Sequence, residues 1–353
     1  MPSKSTTIKQ YRCKKCNAPY PLGADDVIAT CPYCGYTFEV GGSEVKHLLI
    51  PNKLDSKTVK STVKKWLESA ASKSVGKGIL KHIEVEEPTL QWIPLFRVSG
   101  KFESYHFGVK KEGSGDSARH IKIEDSDSGE MTEWVIARRH AATFGINEFI
   151  LSINDSGIKD FEIDLTDGAP VLNSEIDDSD ASTRAQSSRK DRERVELLEK
   201  VDRLLDHKLK LTPQKSTYTH AAYWLVRYSY QKGTFRVAVS GSTGEILLGE
   251  IPVTKRYRAK KWFTSIFLLI GSGFLFQILP YILWIFLQGN SSDGDIWIVP
   301  VVIAVVAVAL WAASVVVLGG ALRYEVEVDK DGKERGDRFS ITETLQKLRR
   351  EVS

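Results

Sequence analysis

Between Trp262 and Leu322 the chain carries only two charged residues, Asp293 and Asp295, in a stretch of 61. The rest of the 353 residues holds all 49 Lys and Arg and all but two of the 45 Asp and Glu. Two uncharged runs stand inside the stretch, Phe263–Leu287 and Ile296–Leu322. A bilayer core about 30 Å thick needs about 20 helical residues, so each run is long enough to span it with some tilt. A purely soluble protein is therefore excluded on the sequence; the alternative, a helical hairpin buried in a large core, rarely has helices so long or so free of charge.

The connection Gln288–Asp295 is short, which makes the two spans an antiparallel hairpin. Lys255, Arg256, Arg258, Lys260 and Lys261 precede the first span, Arg323, Lys330 and Lys333 follow the second, and the loop has no Lys or Arg. The bias predicts cytoplasmic termini and an external loop in a multi-pass inner-membrane protein. Trp262, Trp284, Trp297 and Tyr324 fall where interfacial aromatics belong. Pro280 and Pro300 are expected to kink or start their helices, and Gly271, Gly273, Gly319 and Gly320 to offer close helix contact. Neither run contains an ionisable side chain for a proton or ion pathway. The first residues, Met1–Ile8, are polar and lack the apolar core of a secretory signal.

All four cysteines lie near the N-terminus, as Cys13-Lys-Lys-Cys16 and Cys31-Pro-Tyr-Cys34. Two C-x2-C knuckles at this separation predict a closed tetrahedral site for structural Zn2+, with Cys13, Cys16, Cys31 and Cys34 as ligands. Gly35 supplies the permissive backbone a knuckle needs. Disulfides would require an oxidising compartment, and redox chemistry does not account for two pairs. The metal would hold together a segment too small to build its own core. Arg12, Lys14 and Lys15 with Tyr11, Tyr20 and Tyr33 could touch nucleic acid; a protein-contact or spacer module with a solvated basic edge is the competing reading. The net charge of +4 is too small to make the whole chain a nucleic-acid binder.

Between the cysteines and the spans lies a mixed α+β region. Asp55 or Ser56 can cap a helix whose buried face is Val59, Val63, Trp66, Leu67 and Ala70, with Lys57, Lys60, Lys64 and Lys65 on the solvated or lipid-facing side. Strands are expected at 79–85, 90–99, 102–109, 119–123, 134–136 and 161–165. Residues 173–194, rich in Ser, Asp and Arg, read as an exposed linker. A second helix is expected from Asp191 to Leu211, with Leu198, Val201, Leu205 and Leu209 inward and Thr212-Pro213 as its stop. A meander at 221–230, 234–240 and 245–249 follows, its turns at Lys232-Gly233 and Ser240–Gly244. Leu95–Ser99 aligns with Leu225–Ser229 and Ser104–Val109 with Thr234–Val239 at one constant offset of 130. This suggests two related helix-plus-antiparallel-sheet lobes, or a chance likeness between hairpins.

No catalytic motif stands out: there is no Walker A loop, H-E-x-x-H, G-x-S-x-G or G-x-G-x-x-G. The seven histidines (47, 82, 106, 120, 140, 207 and 220) show no metal spacing, and His106 reads as a plain strand residue. Asp125-x-Asp127-x-Gly129-Glu130 faintly resembles a calcium loop but lacks the remaining ligands, and reads as a polar hairpin turn. At the tail, Ser340-x-x-Glu343 forms a capping box before Ile341, Leu345 and Leu348, a short helix for the inner leaflet or for docking.

The two knuckles, the helix around Val63–Leu67, Trp92–Phe96, Tyr223–Tyr228 and above all Phe235–Glu245 before a hairpin of spans resemble a group of prokaryotic zinc-ribbon membrane proteins. These are often labelled TFIIB-type or primosomal-protein-like. The resemblance implies no catalytic residue and a role as a membrane anchor or adaptor, associated with SPFH-domain, TPM-domain and phage-shock-type membrane proteins. The expected layout is a zinc ribbon at 8–42, a first α+β lobe at 44–172, a polar linker at 173–194, a second lobe at 195–254, spans at 263–287 and 296–322, and a tail at 323–353. The expected function is a non-enzymatic membrane scaffold touching lipid and protein partners; the alternative is a membrane-tethered nucleic-acid binder acting through the ribbon.

Overall fold

The computed structural model describes residues 9–73, 79–113, 118–139, 143–231, 233–288 and 298–334. His140, Lys232, the loop 289–295, Trp297 and the capping box with its helix at 340–348 lie outside the described residues. The chain divides into two compact units. One comprises residues 1–63, 87–227 and 236–248, and the other 64–86, 228–235 and 249–353.

The first unit opens with two small antiparallel hairpins, β1 (Lys9–Arg12) with β2 (Pro19–Leu22) and β3 (Ile28–Thr30) with β4 (Thr37–Glu39). Behind them stands a large curled sheet that is almost entirely antiparallel. Its longest members are β7 (Thr89–Glu112), β8 (Arg119–Ile136) and β10 (Arg203–Tyr230). β7 pairs with β8 from Leu95↔Ile136 out to Glu112↔Arg119, and with β10 from Ala222↔Trp92 out to Arg203↔Val109. Beside β10 runs β5 (His47–Ile50), parallel, with Tyr218 opposite His47. β9 (Lys159–Asp160) closes that edge.

Alternation along β7 sorts its side chains between two faces. Phe96, Val98 and Phe102 pack with Met131, Val135, Tyr218 and the helix α3 (Asp178–Lys200) through Ala181 and Ala185. Ile93 and Leu95 pack on the other side with Tyr223, Ala238, Leu247 and Phe149, which belongs to the short helix α2 (Ile146–Leu151).

Several expectations change here. Residues 173–194 are not an exposed linker: most of them form α3. Asp177 caps its start by accepting from the Asp180 amide at 2.8 Å, and the stripe Ala181, Ala185, Glu193, Leu197 is buried. Small and charged residues at four-residue spacing make a helix that lies close to a sheet, and they carry too little apolar signal to announce it. The helix expected to run to Leu211 instead stops at Lys200, and 203–211 is strand. Leu198 and Leu205 are exposed, and Pro213 stops no helix but sits at a register shift of β10 opposite Gly100.

The two aligned segments do not form equivalent lobes. The stretch 95–109 is one uninterrupted strand, whereas its counterpart is a hairpin of β10 and β11 (Gly233–Ser240). β7 and β10 pair directly with one another. The calcium-like segment is likewise no turn: Asp125, Asp127 and Glu130 lie within β8, paired to His106, Ser104 and Lys101.

In the second unit, the end of β10 pairs with β6 (Ile83–Val85). The strand β12 (Ile246–Pro252) pairs with β13 (Glu325–Val328) from Gly249↔Val328 to Pro252↔Glu325. The helix α1 (Ser56–Lys73) begins as expected, its Thr58 amide capped by Asp55, and its predicted inner face is buried. Trp66 packs the outer edge of its ring against Gly249 and donates from Nε1 to the Asp329 carbonyl at 3.1 Å.

Between β12 and β13 run α4 (Lys255–Gln288) and α5 (Ile298–Leu322), both long and apolar enough to cross a membrane. α4 starts earlier than the apolar run, so the basic cluster forms its first turns. Pro280 lies inside α4 and Pro300 in the first turn of α5. The helices meet at seven-residue steps: Arg258 donates to the Ala321 carbonyl at 3.0 Å, Ser265 and Ser314 exchange hydroxyl-to-carbonyl bonds at 3.0 Å, and Ser272 donates to the Ala307 carbonyl at 2.9 Å. This makes the pair antiparallel, and serine and alanine rather than glycine form the seam. Gly271, Gly273 and Gly320 face open space.

A Cβ on Gly249 would sit 2.0 Å from the Trp66 ring. Gly249→Val should displace the indole, break its bond to Asp329 and destabilise this unit by about 1–3 kcal/mol. Thermal unfolding of the full chain in detergent measures this, and an unchanged midpoint would contradict the packing.

Candidate metal centre

The two knuckles are built alike. Asn17 donates its amide to the Cys13 carbonyl at 2.8 Å, and Gly35 donates to that of Cys31 at 3.0 Å. Both residues take the left-handed backbone that closes such a turn, φ +60° at Asn17 and +71° at Gly35. Gly35 was legible in the sequence. Asn17 was not singled out, although asparagine is the side chain that best tolerates this conformation after glycine.

The four sulfurs converge as a candidate metal site. All lie within 4.8 Å of one another, with Cys13 Sγ to Cys34 Sγ at 3.6 Å and Cys16 Sγ to Cys31 Sγ at 3.7 Å. A tetrahedron of thiolates about 2.3 Å from a central ion has edges of about 3.8 Å, so the donor set fits a closed four-sulfur site. Cys13 and Cys31 are buried and Cys16 is exposed. Burial opposes ionisation of Cys13, but amide hydrogen bonds from Cys16 and Lys15 outweigh it and draw the thiol down to about 7. Burial pushes Cys34 up to about 12 and raises Cys31 as well. Without a cation the thiols cannot all ionise together; a divalent ion removes that conflict. Behind the sulfurs the hairpins share a small aromatic core, with Tyr11 stacked on Phe38 at 4.8 Å and Tyr20 edge-on to both.

The hairpins are seated on the large sheet by a polar chain that the sequence did not announce. Ile28 and Ser174 exchange backbone hydrogen bonds, and the Thr30 amide donates to the Asn173 side chain at 3.1 Å. Thr30 and Thr37 hydroxyls lie 3.0 Å apart, Thr37 reaches His47 Nδ1 at 2.7 Å, His47 Nε2 meets His220 Nδ1 at 2.6 Å, and His220 Nε2 meets the Leu172 carbonyl at 2.7 Å.

The terminal carbonyl can only accept, so His220 donates to it from Nε2. With both rings neutral, the form that burial favours, His220 accepts at Nδ1 from His47 Nε2, and His47 Nδ1 is left to accept from Thr37. Phe161 stacks on His47 at 3.8 Å and Tyr218 packs beside both rings. Burial, with the neighbouring imidazole second, holds His47 well below its usual value, and burial draws His220 down to about 4.

Of the seven histidines that looked scattered, His47 and His220 thus form one pair and His106 and His207 stand opposite each other in a second. His82 and His120 are exposed. The pairs join residues far apart in sequence, which spacing rules cannot detect.

A histidine with a lowered folded value favours the neutral form, so its contribution is present above about 6.5 and is lost as the pH falls towards about 4. The wild-type chain should lose stability through that window, each histidine adding up to about 1.4 kcal/mol per pH unit. His220→Gln should flatten the slope; an equally steep acid transition would mean the pair is not its source.

No family model, curated protein or solved structure matches the chain. What stands of the resemblance drawn from its motifs is the N-terminal four-cysteine cluster, consistent with a zinc ribbon.

Proposed function

We propose that the protein is a membrane-anchored adaptor. In this reading α4 and α5 cross the inner membrane, both ends of the hairpin face the cytoplasm, and a Zn2+-bound ribbon fused to the α+β body is presented there to protein partners. The observation that carries the reading is the bareness of the two apolar helices. Their most apolar windows are 6% and 11% buried within the chain, and Phe263, Phe267, Ile270 and Val316 are among the most exposed large side chains. Such a surface needs lipid or protein against it.

Both flanks of the hairpin meet at one end, where β12 pairs with β13 and Val253 donates to the Tyr324 carbonyl at 2.9 Å. They therefore share one side. The exposed Lys255, Arg256 and Lys260 and the half-buried Lys261 favour the cytoplasm.

The ribbon supports protein contact better than nucleic-acid contact. Arg12, Lys14 and Lys15 are exposed, but Tyr11 and Tyr20 are spent in the ribbon's own core, leaving Tyr33 as its free aromatic platform. Zinc suits the four thiolates and a role that holds shape without an open coordination position. Partners of SPFH-domain or phage-shock type are those the resemblance implies.

The cysteines provide their own topology probe, because all four lie in the ribbon. After zinc chelation, a membrane-impermeant maleimide should label inverted inner-membrane vesicles and leave intact spheroplasts unlabelled; the opposite pattern would overturn the orientation. For the adaptor role, the full chain purified in mild detergent should retain protein partners after nuclease treatment and lose them on Cys31→Ser/Cys34→Ser substitution. Retention of nucleic acid in a salt-sensitive manner, with no protein partner, would sink this reading.

A further inference from the structure

β8 is an edge strand. Among the described residues it pairs with β7 alone, and it does so from Arg119 to Ile136 without a register shift. It contains no proline. Proteins ordinarily shorten, bulge or cover an edge of this length. Two hydrogen bonds show which of its amides face outward. Ser126 donates its amide to Asp125 Oδ1 at 2.9 Å, and Ser128 donates to Asp127 Oδ1 at 2.8 Å, in place of a neighbouring strand. Outward amides alternate along an antiparallel ladder, so those of His120, Lys122 and Glu124 point the same way.

The charges of β8 are sorted by sign. Arg119, His120 and Lys122 stand at one end, and Glu124, Asp125, Asp127, Glu130 and Glu133 follow. Gly129 is paired with Phe102, which lies under Arg189 of α3, so the odd-numbered residues of β8 share the α3 side of the sheet. Among them are Ile121, 40% exposed, and the half-buried Ile123. On the other side Lys122 Nζ lies 2.7 Å from Glu124 and 5.0 Å from the centre of the Phe107 ring, and Tyr105 donates to Glu124 at 2.9 Å.

We propose that β8 is a docking edge for a second copy of this chain, the two β8 strands pairing antiparallel about a twofold axis at Ile123. With the axis there, the outward amides meet one another, Lys122 faces Glu124 of the second copy and Arg119 faces its Asp127. Ile123 faces its own counterpart, with Ile121 on the diagonal. The Ser126 amide exchanges the Asp125 carboxylate for the carbonyl of the second copy's His120. Moving the axis by one residue sets Lys122 on Lys122 or Glu124 on Glu124, and moving it further towards the acidic end sets aspartate on aspartate. Parallel pairing in register would oppose every like charge. The strand thus carries both halves of its own complement, which favours a self-matching twofold contact over a different protein.

Light scattering of the full chain in mild detergent should show a dimer. Lys122→Glu and Glu124→Lys should each weaken it about 10-fold or more, and the double exchange should restore it. Ile123→Cys should join two copies by a disulfide under a mild oxidant, located by peptide mass spectrometry, because counterparts at the axis lie about 4.5–5.5 Å apart. Ser126→Cys should not, its counterparts being about 20 Å apart. A chain that stays monomeric at the highest attainable concentration overturns the proposal. So does a dimer that ignores both single reversals, as one held along α4 and α5 would, or one joined through Ser126→Cys and not through Ile123→Cys. Should a charge reversal fail to fold, the Ile123→Cys bond decides, and its absence overturns the docking edge.

Discussion

The hydrogen bond between His47 and His220 is the joint on which the first unit depends. Remove the His220 ring and both His47 Nε2 and the Leu172 carbonyl lose their partner; remove the His47 ring and His220 Nδ1 is stranded. The hairpins holding the cysteines are too small to form an extensive core of their own. They lean instead on β5 and β10, with Phe161 pressed against the imidazole and Ser174 exchanging backbone bonds with β3. The four-sulfur cluster is thus one end of a continuous bonded structure, and the first two hairpins fall in the same compact unit as β5, β7 and β8.

The sequence made the extremes of this molecule legible. Uninterrupted apolarity announces α4 and α5, paired cysteines announce the cluster, and strict helical spacing announces α1 with its cap at Asp55. What remained hidden had mixed or local signals. α3 buries Ala181, Ala185, Glu193 and Leu197, a stripe in which only one residue is strongly apolar. In β10 Leu205, His207, Leu209 and Leu211 alternate with polar neighbours, but Leu198, Val201, Leu205 and Leu209 also fall at a helical interval, so the segment carries both periods at once. The strand β13 is short, and its partner lies across the whole α4–α5 hairpin.

The candidate sites divide in the same way. Four cysteines within 22 positions form a pattern that can be read along the chain. The histidines cannot be read so, because their pairing is made by register. His47 reaches His220 only because β5 runs parallel beside β10 in that register, and His106 stands opposite His207 only because β7 and β10 run antiparallel in theirs. A motif search treats such residues as isolated, since the information lies in the ladder and not in the spacing.

The seam between α4 and α5 limits what the hairpin can transmit. Its contacts are hydroxyls and a guanidinium reaching specific backbone carbonyls, repeated every seven residues. A displacement of one helix along the other by a single turn would take Ser265, Ser272 and Ser314 away from their acceptors together, and in a bilayer no water would replace them. Piston-like sliding is therefore disfavoured, while tilting or rotating the two helices as one rod leaves every bond intact. A mechanical message carried by this pair of helices has to travel as a movement of the whole post.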